Sequence, residues 1–129
     1  MLACCFTPHA LAQSARATLI AELEQRFGLN EGQVRGALGA LLVYVRERLP
    51  KPDFDQFAAR IPDADRIMQE VKTRGIVTGP LDDMDDYEAS LSSLGIGETV
   101  AAQIPPAVLE FLGRAGYNRE RDILSRALD

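Results

Sequence analysis

Tryptophan is absent, histidine occurs once and cysteine twice, and aromatic residues make up only 6% of the 129 positions. With so few rings, the interior must be built from Leu, Ile, Val and Ala. The only soft metal ligands are Cys4, Cys5 and His9. A structural zinc site wants four ligands, and adjacent cysteines do not offer converging sulfurs, so no metal or other cofactor is expected. Without those three residues the chain holds no Cys or His for nucleophilic catalysis, and no catalytic residue is predicted. There is no run near the ~20 apolar residues of a spanning helix, so an integral membrane protein is not expected. Positive charge is also short. Fourteen Lys and Arg against 19 Asp and Glu give a net charge of −5, which disfavours nucleic acid, whose binding is driven by cationic side chains displacing counterions.

The length fits one domain able to bury its own core without metal or disulfide staples. Residues 1–12 are apolar up to the Ala10-Leu11-Ala12 triplet and turn polar at Gln13. That pattern matches the cleavage end of a secretory signal, although a basic head and most of the apolar stretch are missing. Two readings stay open: a signal-peptide remnant, which would place the protein in the periplasm or outside the cell, or a disordered tail on a cytoplasmic protein. Residues 13–129 then form a single all-α domain.

What the remainder does contain is a faint duplication. Phe27-Gly28-Leu29-Asn30-Glu31 returns 67 positions later as Leu94-Gly95-Ile96-Gly97-Glu98, and Ala40-Leu41-Leu42-Val43-Tyr44-Val45 falls at the same offset on Ala107-Val108-Leu109-Glu110-Phe111-Leu112. A Gly, an aliphatic residue and a Glu repeated together mark one helix ending and another starting. The expected fold is a compact bundle of six to seven helices made of two similar units, about 13–74 and 81–129. The first helix runs from about Ala10 to Phe27 and stops at Gly28. Asn30 caps the second, with Gln33 reaching back and Leu29 closing on Val34. Val34, Leu38, Leu41, Leu42, Val45 and Leu49 recur at helical spacing until Pro50 and Pro52 end it. Asp53 is placed to cap a third helix with Gln56, and Asp63 to open a further turn or two through Ile67, Met68 and Val71. Gly75 to Pro80 reads as an extended connector, because Ile76-Val77 has no second β-like run to pair with. In the second unit, Leu81 to Leu94 forms one helix. The next begins near Glu98, is kinked or broken at Pro105-Pro106, and restarts to end at Gly116 with Tyr117 folded back. Asn118 caps the last helix.

The pattern of Gly28, Leu29, Gly36 and Gly39, the pair Asp53-Phe54 followed by Ile61-Pro62-Asp63-Ala64-Asp65, and Leu94-Gly95-Ile96 leading into a proline-interrupted helix resemble a bacterial family of unknown function named after its VcgC/VcgE members. The similarity runs from about Phe27 to Leu128. The resemblance implies an all-α fold and, for many members, a signal peptide. It brings no activity, ligand or catalytic residue.

Other constellations have structural explanations. Asp82, Asp83, Asp85, Asp86 and Glu88 lack the Gly and the alternation of a calcium loop, and carboxylates in a first helical turn favour the positive end of the helix dipole. Arg114, Arg119, Arg121 and Arg126 balance neighbouring acids near the C-terminus. Gly32, Gly36 and Ala40, spaced by four, form a small face suited to a closely approaching helix. With Tyr44, Pro105 and Phe111 they are the candidate interaction seam between the units. The function expected is that of a non-catalytic module binding a partner protein or a second copy of itself, exported to the bacterial envelope if the N-terminus is a signal. The alternative is a carrier of a small apolar ligand in a cavity between the units.

Overall fold

In the computed structural model, which describes residues 19–128, ten consecutive residues of one helix, Gly36 through Val45, are buried. This helix, α2 (Glu31–Arg46), has no solvent face over most of its length. A helix apolar or small all round belongs inside a bundle and not on its surface. Six others surround it or pack on one another: α1, described over 19–27, α3 (Lys51–Ala58), α4 (Ala64–Thr73), α5 (Met84–Ser92), α6 (Glu98–Arg114) and α7 (Asn118–Leu128). Helices α3 to α7 all touch α2, with α4 making the most extensive contact, while α6 packs on α5 and α7, and α3 on α7. No strand occurs among the described residues, and Ile76 and Val77 are buried in an irregular connector, their amides both donating to the Val71 carbonyl.

Local chemistry sets several of the helix ends as expected. Asn30 Oδ1 accepts from the Gln33 amide at 2.8 Å and Gln33 Oε1 accepts from the Asn30 amide at 3.0 Å, a complete capping box. The same Gln33 donates through Nε2 to the Leu94 carbonyl at 3.1 Å, tying the start of α2 to the end of α5. Asn30→Ala should therefore lower stability by about 1 kcal/mol, read as a shift in the urea midpoint with an unchanged slope. Gly28 and Gly95 take φ values of 68° and 79°, the left-handed region that ends a helix without a Cβ clash. At each, the next amide reaches back across the turn, Leu29 to the Glu24 carbonyl and Ile96 to the Leu91 carbonyl. Helix starts keep the same 67-residue offset, Glu31 with Glu98 and Lys51 with Asn118. Tyr117 donates to the Leu112 carbonyl at 2.8 Å and lies half-buried over the end of α6.

Elsewhere the local reading is corrected. Helix α2 stops at Arg46, not at Pro50: the Arg48 amide bonds the Val45 carbonyl in a tighter turn, and Pro50 is extended at ψ 148°. Asp53 does not cap α3. Pro50 occupies that place without a side-chain bond, Pro52 sits in the first turn, and Asp53 lies 3.6 Å from Arg126 on α7. Asp63 precedes α4, but that helix is ten residues long and the Asp63 carboxylate bonds none of its amides. Asn118 is the first residue of α7, whose opening carbonyl is that of Tyr117. Most clearly, Pro105 and Pro106 do not break α6, which runs unbroken through both over 17 residues. Two prolines remove two amides, yet Ala101, Ile104, Pro105, Ala107, Val108, Phe111 and Leu112 are all buried along it. Burying each large aliphatic side chain contributes ~1.5–3 kcal/mol, which offsets the lost amide bonds and keeps the helix continuous through the prolines. The N-terminal part of the first helix expected from Ala10 lies outside the described residues.

Candidate interaction surface

The proposed seam residues are mostly interior. Gly36, Ala40, Tyr44, Pro105 and Phe111 are buried under this chain's own helices, and only Gly32 is exposed. A Cβ built on Gly36 would stand 2.6 Å from a Leu94 methyl, and among the described residues nothing from another helix approaches Gly32. The tightest approach is at Gly39, where a Cβ would lie 2.5 Å from Val71 Cγ1, 2.8 Å from Ile67 Cγ2 and 3.0 Å from the Ile67 carbonyl oxygen. The small face is thus where α2 receives α5 and α4. Cys4, Cys5 and His9 lie outside the described residues.

Several charged side chains join one helix to another. Arg35 on α2 makes two bonds to the Glu70 carboxylate on α4, at 3.0 and 3.3 Å, which hold its guanidinium still more firmly protonated than usual. Arg60 after α3 reaches Glu120 on α7 at 3.2 Å and lies over the Tyr117 ring at 4.2 Å. Arg26 with Glu110, and Glu22 with Arg114, join α1 to α6. Arg48 is stacked on the Tyr44 ring at 3.6 Å, donates to the Tyr44 carbonyl at 2.9 Å and to that of Asp82, and so pins the connector to the end of α2. Beneath this clasp lies Tyr87, whose ring centre is 6.2 Å from that of Tyr44. Tyr87 is fully buried and its hydroxyl has no hydrogen-bond partner among the described residues. Burial raises its pKa, with the nearby Glu88 adding to the effect.

The acidic run behaves as a helix start. Asp83 Oδ1 accepts from the Asp86 amide at 3.0 Å, and Asp86 Oδ2 accepts from the Asp82 amide at 3.0 Å.

What the sequence reading missed is a concave surface between α3 and α4. Ala58, Ala59 and Ala64 line it together with Asp55, Asp63, Asp65 and Arg66, with Phe54 and Ile61 nearly buried at its base, around a volume of ≈ 540 Å³ open to solvent. The turn that shapes it places Asp63 at φ 54°, the one non-glycine residue with positive φ among those described. Aspartate tolerates this region better than most side chains. A short helix, a Pro and two Asp in succession at Ile61-Pro62-Asp63-Ala64-Asp65 was the available signal. In sequence it marks a helix boundary and part of the family resemblance, and neither implies a concavity.

A family model described as a protein of unknown function, VcgC/VcgE, matches residues 7–128, nearly the whole chain. The chain belongs to the VcgC/VcgE family. The stretch matched takes in all of α2 to α7, so the family's common unit is the bundle as a whole and not one of its halves. Neither the curated proteins nor the solved structures gave a match. No helix among the described residues is long and apolar enough to cross a membrane.

Proposed function

We propose that the protein is a non-catalytic helical module that binds a partner protein at the cleft between α3 and α4. The observation that supports this is the cleft's make-up: three carboxylates and a single guanidinium around a small apolar area left by Ala58, Ala59 and Ala64, with Phe54 and Ile61 nearly buried behind it. Such a surface complements a segment carrying an apolar anchor flanked by Lys or Arg. The use of Arg35, Arg60, Glu70 and Glu120 as ties between helices supports a binding role over a catalytic one. Export to the bacterial envelope belongs to the same proposal and rests on the composition of residues 1–12. A carrier function draws less support, because the clefts described are open and charged at the edge.

A photo-crosslinking amino acid at Ala59, exposed at the cleft, tests the reading in the cells that make the protein. A discrete adduct is expected from position 59, absent from the exposed control position Gln69 and lost when Asp55→Lys and Asp65→Lys are added. Equal adducts from both positions, or survival of the adduct in the charge-reversed variant, would count against it. An adduct of twice the chain's mass would assign the cleft to self-association instead.

A further inference from the structure

A second cleft lies at the opposite kind of corner, where the C-terminal ends of α2 and α4 meet the connector. It encloses ≈ 560 Å³ and is lined by Val43, Arg46, Glu47, Lys72, Val77, Thr78 and Gly79. In an acidic chain, two cations share this one concavity. Neither Arg46 nor Lys72 forms an ion pair among the described residues, in contrast to the Arg35, Arg60 and Arg114 guanidinia.

Cations near helix C-termini have an ordinary role, answering the carbonyls left open there. At this corner backbone amides already do so. Glu47 donates to the Val43 carbonyl, Arg48 to Val45, Arg74 to Glu70, Gly75 to Lys72, and Ile76 and Val77 both to Val71. Arg46 and Lys72 are not needed to satisfy those groups. The one carboxylate in the cleft, Glu47, is engaged: its Oε1 accepts from the Leu81 amide at 3.2 Å and stands 3.9 Å from Arg48 Nη1. The Thr78 and Gly79 amides have no protein acceptor among the described residues, and the Thr78 hydroxyl is exposed beside them.

We infer that this cleft binds an oxyanion carried on a short apolar group. Arg46 and Lys72 supply charge to the oxygens and, through their methylene stems, most of the apolar contact over the nearly buried Val43 and Val77, while exposed Thr78 and the 78–79 amides supply donors. A carboxylate and a phosphate monoester share this chemistry. The site is separate from the α3–α4 cleft and stands or falls independently of the partner-binding proposal.

The test is a titration of the isotope-labelled full chain, followed by amide chemical shifts, with octanoate, monooctyl phosphate, inorganic phosphate and octyl glucoside. Saturable shifts centred on Val43, Arg46, Lys72 and 77–79 are expected with octanoate or monooctyl phosphate. Whichever of the two binds more tightly identifies the head group. Octyl glucoside should give none, and inorganic phosphate should bind at least about tenfold more weakly than the better amphiphile. Arg46→Glu with Lys72→Glu should weaken binding by about tenfold or more while far-ultraviolet circular dichroism stays unchanged. The milder Arg46→Gln with Lys72→Gln serves if that variant fails to fold. The inference is overturned by linear, unsaturable shifts, by shifts centred elsewhere, by octyl glucoside binding as well as the anions, or by a folded charge-altered variant that keeps its affinity. Equal affinity for inorganic and monooctyl phosphate would overturn it as well.

Discussion

Replacing Gly39 with valine is expected to cost about 3 kcal/mol or more and to leave the chain without a cooperative thermal transition, whereas Gly36→Ala should stay within about 1 kcal/mol of the parent. Both glycines sit in the same buried helix, and alanine at either site gains up to ~1 kcal/mol of helix propensity. Their surroundings decide the sign. At Gly36 the obstacle is the end of the Leu94 side chain, which is half-buried and can turn aside. At Gly39 the obstacles are two β-branched side chains, each with one preferred rotamer in a helix, and the Ile67 carbonyl oxygen 3.0 Å from where a Cβ would stand. The α2–α4 packing would have to open to admit anything larger than hydrogen. Urea unfolding of the two variants side by side checks the contrast. Equal tolerance at both sites would mean that α4 does not cross α2 this closely.

The second large effect concerns Tyr87. Tyr87→Phe should raise stability by about 1–3 kcal/mol at neutral pH, because it removes a buried hydroxyl with no hydrogen-bond partner among the described residues while keeping the ring. It should also change the alkaline limb of the stability curve. The folded-state pKa of Tyr87 is raised above the unfolded value of 10.0 by burial. The unfolded chain therefore loses this proton first, and the stability present below pH 10 falls as pH rises beyond it, by ~1.4 kcal/mol for each further pH unit until the folded-state group also ionises. Phenylalanine has no such proton. Chemical denaturation between pH 8 and pH 11 should show the parent declining faster than the variant above about pH 10. A variant that is less stable than the parent at pH 7, or that declines in parallel with it, would show that the hydroxyl is satisfied.

These two positions also mark where residue order stops being informative. Asn30 with Gln33, Gly28, Gly95 and the Tyr117 turn were legible because each partner lies within a few residues, and the physics of a cap is local. The apolar spacing of α2 and α7 was legible for the same reason. Gly32, Gly36 and Ala40 looked equivalent to one another, and Gly39 less prominent, since spacing along one helix does not say which neighbour will cross it. Tyr87 stands among Asp85, Asp86 and Glu88 and reads as a polar surface helix; its burial follows from the arrival of α2 and the Arg48 clasp, which come from elsewhere in the chain. Pro105-Pro106 misled in the other direction. Local propensity argues for a kink or a break, and tertiary burial on both sides of the pair overrides the break. The α3–α4 cleft was hidden most completely, because a concavity is a property of two helices and their angle.

The all-round burial of α2 also governs how the molecule can be divided. The axial rod comes from the first half of the chain, yet α5, α6 and α7 from the second half form much of its enclosure. Severed anywhere in the connector, one fragment would carry a greasy shaft short of three of its staves, and the other would keep α6 on α5 and α7 but lose the shaft that all three enclose. Whatever the 67-residue echo records, each portion would lay bare the apolar surface that the other now covers.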